Sequence, residues 1–346
     1  MTITNGDILF ITGATGLVGS HFVERARQQG IRTRVLTRPS SDTRLLDEWG
    51  AEKIAGDMTD RISLNAAVDG VTHIIHCAAK VGDWGPVDDY RAVNVHGLEN
   101  LLSAAESTGL LKRYIHISSL GVYESRDHYG TDESEPTSTL GIDGYTLTKV
   151  ESENLVATHV AEKNLPATIL RPGFIYGPRD RTVLPRILEK LKDKRFAFLG
   201  SGEQLMNNTF VGNLVDAGFA AIARDETIGA TYNITDGKLV SKREFISTIA
   251  QLLGYQVPRK SVPLPVARLL AKGLEGLWKL LGKQQAPILS GARIKFLGLN
   301  LDFCIDKARR ELEYQPRVEF ADGMKQTIDW FRKQDSSSQS HRAIQN

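Results

Sequence analysis

Residues 8–19 read ILFITGATGLVG, and this stretch organises the rest of the chain. The apolar run at 8–11 is typical of a buried parallel strand, and an amphipathic stretch follows the glycines. Gly13 permits a tight turn, Gly16 lets the backbone approach a pyrophosphate, and Gly19 lets the helix pack close to the strand. Strand, glycine turn and helix are the context of a dinucleotide-binding loop, with the phosphates at the helix N-terminus. The spacing alone also fits a purely structural turn.

Composition indicates an ordinary soluble globular protein. The 346 residues are 41% hydrophobic and 24% charged, enough for one large domain or two. Lys and Arg number 43 against 41 for Asp and Glu, which does not favour nucleic-acid binding. Cys77 and Cys304 match no metal spacing, so we expect free thiols in a reducing compartment and no metal. No signal-peptide pattern and no membrane-length apolar run is found, which favours a cytoplasmic protein.

Further short apolar runs predict strands at 33–37, 52–56, 71–79, 112–119 and 167–170. With the amphipathic stretches between them, they indicate an α/β fold with a Rossmann-type, doubly wound parallel sheet. The carboxyl ends of such strands face the ligand.

The end of the second strand bears on the choice of cofactor. An acidic residue at this place favours NAD, because it binds the ribose 2′-hydroxyl. Here Thr37 and Arg38 occupy the position, followed by two serines. Arg38 could pair with a 2′-phosphate, so we favour NADP(H) over NAD(H). In the alternative interpretation Arg38 is a solvated surface charge.

Several residues near the next strand ends have two interpretations each. Asp57 could accept from the adenine amino group or cap a helix that starts near Thr59. Trp84, in a loop over the strand ends, could touch the substrate or cap the core. Asn94 lies on a predicted helix at 89–108, where it could brace the active site or make a helix-packing hydrogen bond. We expect His76 to be a packed strand residue.

Tyr145 and Lys149 carry the predicted chemistry. They are four residues apart on a predicted helix at 145–160 and therefore share one face. A nearby ammonium stabilises a phenolate, so we expect the pKa of Tyr145 to be lowered towards working pH. Tyr145 could then act as a general acid in ketone reduction or as a base in alcohol oxidation. Ser118 or Ser119, at the end of the preceding strand, could hydrogen-bond the same oxygen.

The loop at 171–178, RPGFIYGP, has two prolines and two glycines, so we predict a shaped loop without regular structure. Together, these motifs resemble the extended short-chain dehydrogenase/reductase superfamily, the NAD(P)-dependent epimerase/dehydratase group. The segments NLVDA at 213–217 and NITDG at 233–237 are most similar to its 3β-hydroxysteroid dehydrogenase-like branch.

The resemblance implies roles for individual residues. Ser119, Tyr145 and Lys149 would be catalytic. The residues implied in cofactor binding are Gly13, Thr15, Gly16, Leu17, Gly19, Arg38, Asp57, Met58, Ala78, Ala79, Tyr145, Lys149, Pro172, Phe174 and Ile175. The backbone at 172–175 would hold the nicotinamide. Trp84, Asn94 and Arg179 are candidates for contact with the substrate.

The resemblance also implies a smaller, mostly helical substrate domain in the second half. We expect a dinucleotide-binding domain at 1–172 and 206–236, and a substrate domain at 173–205 and 237–334. The Ser-rich tail at 335–346 is expected to be disordered. Family members of this kind suggest a homodimer through the helices after Asp89 and Tyr145.

Residues 265–283, PVARLLAKGLEGLWKLLGK, predict an amphipathic helix with a mainly cationic polar side. Such a helix fits peripheral membrane contact or the lid of a lipophilic pocket. It also fits an amphipathic helix packed on its own domain.

We therefore predict an NAD(P)-dependent oxidoreductase that moves a hydride between nicotinamide and a secondary alcohol or ketone of a sterol-like or other lipophilic substrate. One alternative is a nucleotide-sugar epimerase or dehydratase, whose pyrophosphate Arg179, Arg181 and Arg186 could bind. The other is a non-catalytic dinucleotide sensor, which the intact Ser119, Tyr145 and Lys149 disfavour.

Overall fold

The computed structural model describes residues 3–140, 143–283 and 285–344, with side chains described as far as residue 334. The last two residues of the tail expected to be disordered lie outside these ranges.

A seven-stranded sheet in which all neighbouring strands are parallel forms the centre of the molecule. Its strands are β1 (Leu9–Thr12), β2 (Thr33–Thr37), β3 (Glu52–Ala55), β4 (His73–His76), β5 (Arg113–Ile117), β6 (Ala167–Pro172) and β7 (Thr231–Ile234). The spatial order is β7-β6-β5-β4-β1-β2-β3. The order reverses at β1, where Phe10 pairs with Arg34 of β2 and with Ile74 of β4. This reversal creates a crevice at the carboxyl ends of β1 and β4, and the predicted fold class is confirmed.

Helices cover both faces of the sheet and build a lobe beside it. They are α1 (Leu17–Gln28), α2 (Arg44–Glu48), α3 (Arg61–Val68), α4 (Val87–Arg91), α5 (Gly97–Thr108), α6 (Gly144–Lys163), α7 (Leu184–Lys192), α8 (Val211–Ile222), α9 (Lys242–Leu252), α10 (Leu264–Leu280), α11 (Gly291–Gly298), α12 (Asp306–Glu311) and α13 (Phe320–Ile344). A π-helix (Ala92–His96) joins α4 to α5, and 3-10 turns lie at Leu120–Val122 and Asp225–Thr227.

Two apolar cores, one on each face, bury the central strands completely. Leu9 and Ile11 of β1 pack with α1 and α8 on one face, whereas Phe10 packs with α3, α5 and α6 on the other. Burial on both faces explains why β1 reads as a continuous apolar run. The sheet thereby holds its carboxyl ends in a rigid row.

A third core lies beside the sheet, between α7, α9 and α13, and contains Phe198, Phe245 and Phe320. Short strands pair around it. The pairs are His128–Thr131 with Leu301–Phe303, Phe174–Tyr176 with Asn208–Phe210, Phe198–Leu199 with Ser261–Val262, and Leu205–Met206 with Val240–Ser241.

The prediction of an unstructured loop at 171–178 is wrong. Arg171 and Pro172 end β6, and Phe174–Tyr176 forms a short parallel strand with Asn208–Phe210. The close approach requires Gly173, since a Cβ there would lie 1.8 Å from the Asn207 carbonyl oxygen. The partner strand comes some thirty residues later, beyond the reach of local turn signals.

The tail also differs from the expectation of disorder, because α13 continues to Ile344. Residues 335–344 contain no glycine or proline to end the helix. In the described ranges no helix combines the length and the apolar character needed to cross a membrane.

Candidate active site

The loop between β1 and α1 has the shape of a phosphate cradle. Gly13 has φ +68°, a left-handed conformation, and a Cβ there would lie 2.9 Å from the Ala78 amide nitrogen. A Cβ at Gly19 would lie 2.3 Å from the Gly13 carbonyl oxygen, which explains the close packing of α1 on the loop. A Cβ at Gly16 would approach only the Gly13 carbonyl oxygen, at 3.3 Å. Gly16 therefore borders open space where a ligand can approach.

The N-terminus of α1 is prepared for an anion. Gly16 is its N-cap, with an extended backbone, and the first turn has no acidic side chain. No side chain of the described residues caps this end. Thr15 and Leu17 flank Gly16, so main-chain N–H groups and the helix dipole meet an anion here. These residues fit the pyrophosphate of a nicotinamide dinucleotide.

The end of β2 is cationic. Arg38 is exposed directly after the buried Thr37. The nearby acid Asp42 is held by Arg44, whose Nε and NH2 donate to its carboxylate at 2.9 and 2.8 Å. Arg181 lies 3.9 Å from the same carboxylate. The negative charge of Asp42 is thus already compensated by Arg44 and Arg181.

Asp57 and Met58 follow β3. Asp57 accepts from the amide and hydroxyl of Thr59 at 3.0 and 2.9 Å. The alternative role of Asp57 as the cap of the following helix is wrong, because Asp60 caps α3 by accepting from the Ile62 amide. Met58 is buried against Gly97 of α5, where an added Cβ would come within 2.9 Å of it.

Ala78 and Ala79 follow β4 with their side chains partly exposed. The Ala78 amide donates to the Thr12 hydroxyl at 3.1 Å, and this hydroxyl also meets His76 Nδ1 at 2.8 Å. His76 is therefore a buried strand residue, as expected, and it orders the edge of the crevice.

Two of the three candidate catalytic residues lie on α6, and the third follows the end of β5. Asp143 caps α6 by accepting from the Thr146 amide at 2.9 Å, and α6 carries Tyr145 and Lys149. Lys149 donates from Nζ to the Ile117 carbonyl at 2.8 Å and lies 6.0 Å from the centre of the Tyr145 ring. Ser119 follows two residues later, with its hydroxyl accepting from the Gly121 amide at 3.0 Å.

The pKa of Tyr145 contradicts the expectation from sequence. Burial, assisted by the negative charge of Asp143, raises it above its ordinary value. The Lys149 ammonium is held at the Ile117 carbonyl, and burial lowers its own pKa to about 8. Near neutral pH the site therefore presents a protonated phenol beside a charged lysine.

A buried hydrogen-bond network supports the end of β5. Ser118 donates to the Glu153 carboxylate, which accepts from Arg171 Nε and NH2 at 3.0 and 2.6 Å. Arg171 NH1 donates to the Tyr123 hydroxyl at 2.8 Å. Ser118 therefore serves the network, whereas the Ser119 hydroxyl accepts from the Gly121 amide and keeps its own hydrogen for donation.

Asn94 lies in the π-helix, whose wider turn is a feature often found at functional sites. Its Nδ2 donates to the Thr148 hydroxyl at 2.9 Å and to the Lys80 carbonyl at 3.1 Å, and its Oδ1 accepts from the Lys80 amide at 2.7 Å. These bonds join α6 to the loop after β4. Asn94 is thus a positioning residue, and its fully used amide leaves little capacity for substrate.

The second lobe reaches the site through α10 and α11. Trp84 Nε1 donates to the Lys283 carbonyl at 3.0 Å, and Asp83 pairs with Arg293 at 2.5 Å. Lys295 donates to the carbonyls of Gly121 and Tyr123 at 2.5 and 3.2 Å. Lys295 could not be identified from the sequence, because its partners lie some 170 residues earlier and no local sequence pattern connects them.

Arg179 lies against helix α1. It has φ +72°, and its guanidinium donates to Glu24 at 2.7 Å and to the Ser20 hydroxyl at 3.1 Å, both on α1. Its guanidinium carbon lies 5.2 Å from the centre of the Trp49 ring. The contacts of Arg179 compensate its charge within the protein, which disfavours the pyrophosphate-binding role that the nucleotide-sugar alternative would give it.

Pro172, Phe174 and Ile175 border the crevice after β6. Pro172 ends the buried strand, and Ile175 packs against the sheet core. The Phe174 ring lies 4.8 Å from Phe296 and 5.6 Å from Phe245, between ring centres. Aromatic side chains of the second lobe thus approach the place expected for nicotinamide.

Residues 9–235 match the profile of the NAD dependent epimerase/dehydratase family, and the chain belongs to this family. It is accordingly an NAD(P)-dependent enzyme of the extended short-chain dehydrogenase/reductase type, related to the 3β-hydroxysteroid dehydrogenase-like branch.

Three similar proteins illustrate the relationship. The chain is 30% identical to a 4-hydroxy-2-methyl-3-oxo-4-farnesyl-3,4-dihydroquinoline-1-oxide ketoreductase of Stigmatella aurantiaca, over 91% of this chain and 94% of the relative. It is 32% identical to a 3β-hydroxysteroid dehydrogenase/Δ5→4-isomerase of Mycobacterium tuberculosis, over 91% and 88%. UDP-glucuronic acid 4-epimerase of Bacillus cereus, solved with UDP-glucuronic acid and NAD, shares the fold with a TM-score of 0.75 at 21% identity, over 94% and 99%.

Proposed function

We propose that the protein reduces the ketone of a lipophilic, sterol-like substrate to a secondary alcohol with NADP(H), or catalyses the reverse oxidation. The observation that carries the proposal is the fastening of Lys149 to the Ile117 carbonyl. This bond supports the proposal because it fixes the helix that carries Tyr145 to the strand that leads into Ser119, in the sheet that carries the phosphate cradle.

The protein groups divide the work as follows. Bound nicotinamide donates or accepts the hydride. Tyr145 donates its hydroxyl proton to the ketone oxygen, and the protonated state that its raised pKa favours is the one that reduction requires. Ser119 donates a hydrogen bond to the same oxygen. The Lys149 ammonium stabilises the phenolate that Tyr145 becomes.

The cofactor would lie along the crevice. Gly13, Gly16 and Gly19 would admit its pyrophosphate, and Arg38 would pair with a 2′-phosphate. Asp57, Met58, Ala78 and Ala79 would border the adenosine and ribose, and the backbone at 172–175 would hold the nicotinamide. In this proposal residues 1–172 and 206–236 form the cofactor domain, and 173–205 and 237–334 form the substrate domain.

Two observations support a lipophilic substrate. Phe174, which follows β6, and Phe296 of α11 are partly exposed aromatic side chains whose ring centres lie 4.8 Å apart, with the buried Phe245 behind them. The relatives at 30–32% identity are a ketoreductase of a farnesylated ring and a hydroxysteroid dehydrogenase, according to their names.

The test is turnover of the purified protein with NADPH and a panel of keto-sterols, long-chain ketones and nucleotide sugars. Consumption of one NADPH per lipophilic ketone reduced supports the proposal. Conversion of a nucleotide sugar with no net consumption of cofactor would instead identify an epimerase or dehydratase, although Arg179 is already paired with Glu24. Unchanged biological function of Tyr145→Phe would point to a non-catalytic sensor.

We further propose a cytoplasmic homodimer that meets membranes peripherally through residues 265–283. Light scattering after size-exclusion chromatography tests the dimer. A monomer at the concentrations used for turnover would overturn that part of the proposal.

A further inference from the structure

Helix α10 turns a row of large apolar side chains outward to solvent. Leu269 is 73% exposed and Leu280 is 83% exposed, unlike the core residues of the same lobe. The exposed apolar residues of α10 and the residue that follows it are Val266, Leu269, Leu270, Leu277, Leu280 and Leu281. Isolated exposed apolar residues are ordinary, whereas a contiguous row on one helix indicates an interaction surface.

The opposite side of α10 packs on the protein through small residues. Ala267 and Ala271 are buried in a minor core with Leu199 and Ile294. Gly273 and Gly276 lie near the outward row, and a Cβ added at either would meet no atom within 4 Å. The outward face therefore has no packing partner in the described part of this chain. Packing of α10 on its own domain, which the sequence left open, accounts only for the alanine side.

Cationic residues border this outward face. At about 100° per residue, Arg268, Lys272 and Lys279 occupy one arc next to the exposed leucines. All three are exposed, and none pairs with an acidic side chain among those the structure describes. An apolar arc with cations along one side matches the acyl boundary and the anionic headgroups of a lipid surface.

The C-terminal end of α10 lies beside the candidate active site. Trp84, in the loop after β4, donates from Nε1 to the carbonyl of Lys283, just beyond the helix. Asp83 of the same loop pairs with Arg293 of α11. The C-terminal end of α10 and the helix that follows it therefore contact the loop after β4.

We propose that α10 is an interfacial helix which docks the enzyme on an anionic lipid surface, with its leucine row in the acyl boundary and its cations at the headgroups. The surface then presents lipophilic substrate directly to the crevice. This inference rests on the proposed function for the nature of the substrate, but membrane docking itself can be measured without turnover.

The first experiment measures co-sedimentation of the full chain with phosphatidylcholine vesicles, with and without phosphatidylglycerol. The double variant Leu269→Glu/Leu280→Glu removes the two most exposed leucines of the row. We expect its partition coefficient to fall at least tenfold, since burying even one leucine is worth more than that. Ile62→Glu, which changes an 81% exposed residue on α3, is the matched control and should partition like the wild type.

A second variant tests the charges. Lys272→Gln/Lys279→Gln should lose most of the preference for phosphatidylglycerol, roughly fivefold or more, because each cation near an anionic surface contributes to binding. Its binding to pure phosphatidylcholine should stay unchanged. Equal binding of this variant and the wild type to the anionic vesicles would contradict the cationic part of the proposal.

Three outcomes overturn docking. The wild type fails to sediment with either vesicle, or the leucine variant sediments as well as the wild type. In the third, the leucine variant changes from dimer to monomer without lipid, so that the face is an interface between copies. NADPH binding, measured on every variant, verifies the fold. Absence of turnover with normal vesicle binding would reject only the proposed function.

Discussion

Lys149 donates from Nζ to the main-chain carbonyl of Ile117 at 2.8 Å, which fastens α6 to the strand that leads into Ser119. The bond spans 32 residues of sequence and is buried. It uses one of the three ammonium donors, so two remain for the roles proposed above toward Tyr145 and the cofactor ribose. The first two predictions concern Tyr145 and Lys149 itself.

Tyr145→Phe removes the proposed proton donor and keeps the ring. We expect kcat to fall by roughly 10²–10⁴, the usual contribution of general acid catalysis, while NADPH affinity stays near wild type. Steady-state NADPH consumption and fluorescence titration measure the two quantities. Tyr129→Phe changes a tyrosine that is 77% exposed and serves as the control. A kcat within twofold of the wild type would rule out the role of Tyr145.

The pH profile should report Lys149. Burial lowers its pKa to about 8, so the ammonium is present below that pH and is lost as pH rises through it. We expect kcat/KM for ketone reduction to decline above about pH 8. Lys149→Arg, which stays charged, should lose this alkaline limb and retain a lower plateau. If the arginine variant keeps the limb, another group titrates there.

Two glycines of the phosphate cradle should differ when each is changed to alanine. A Cβ at Gly19 would lie 2.3 Å from the Gly13 oxygen, so Gly19→Ala should cost about 1–3 kcal/mol of unfolding free energy. Gly16→Ala has more room and should leave stability nearly unchanged. It should instead weaken NADPH binding roughly tenfold, about 1.4 kcal/mol.

Urea unfolding and NADPH titration distinguish these outcomes, with Gly6→Ala as the control because its added Cβ would meet nothing within 4 Å. Normal NADPH affinity in Gly16→Ala would mean that the pyrophosphate binds elsewhere.

Arg38→Ala should weaken the binding of NADPH but not that of NADH. We expect NADPH affinity to fall about tenfold or more, because a charge-assisted bond to the 2′-phosphate contributes roughly 1.5–3 kcal/mol. NADH affinity should not change. Arg126→Ala, which changes another exposed arginine, is the control. Equal affinities for NADPH in Arg38→Ala and wild type would identify Arg38 as a solvated surface charge.

The ion pair between Glu153 and Arg171 should be important for stability. Both side chains are less than a tenth exposed, and Glu153→Gln leaves Arg171 with an uncompensated buried charge. Breaking such a pair costs about 3–5 kcal/mol. Glu151→Gln, on the same helix but in a partly exposed pair with Arg91, should cost less than about 1 kcal/mol. Similar urea midpoints for the two variants would contradict this ranking.

Much of the sheet could be predicted because its signals are local. The run at 33–37 became β2 without change, and β1 differs from its predicted run by one residue at each end. Strand, glycine turn and helix follow one another along the chain, so the phosphate loop needs no distant partner to be recognised. The short strand at Phe174–Tyr176 was missed, because its hydrogen-bond partners lie at Asn208–Phe210.

The sequence by itself determined the spacing of Tyr145 and Lys149, the glycine turn and the amphipathic pattern of α10. These features depend only on helical and strand periodicity. Tertiary structure decided the raised pKa of Tyr145, the contact of Lys295 with the Gly121 and Tyr123 carbonyls and the outward direction of the leucine row. Burial and the neighbours of a charged group come from contacts between distant segments. Periodicity shows which side of a helix is apolar, but only the packed fold shows whether protein or solvent lies against it.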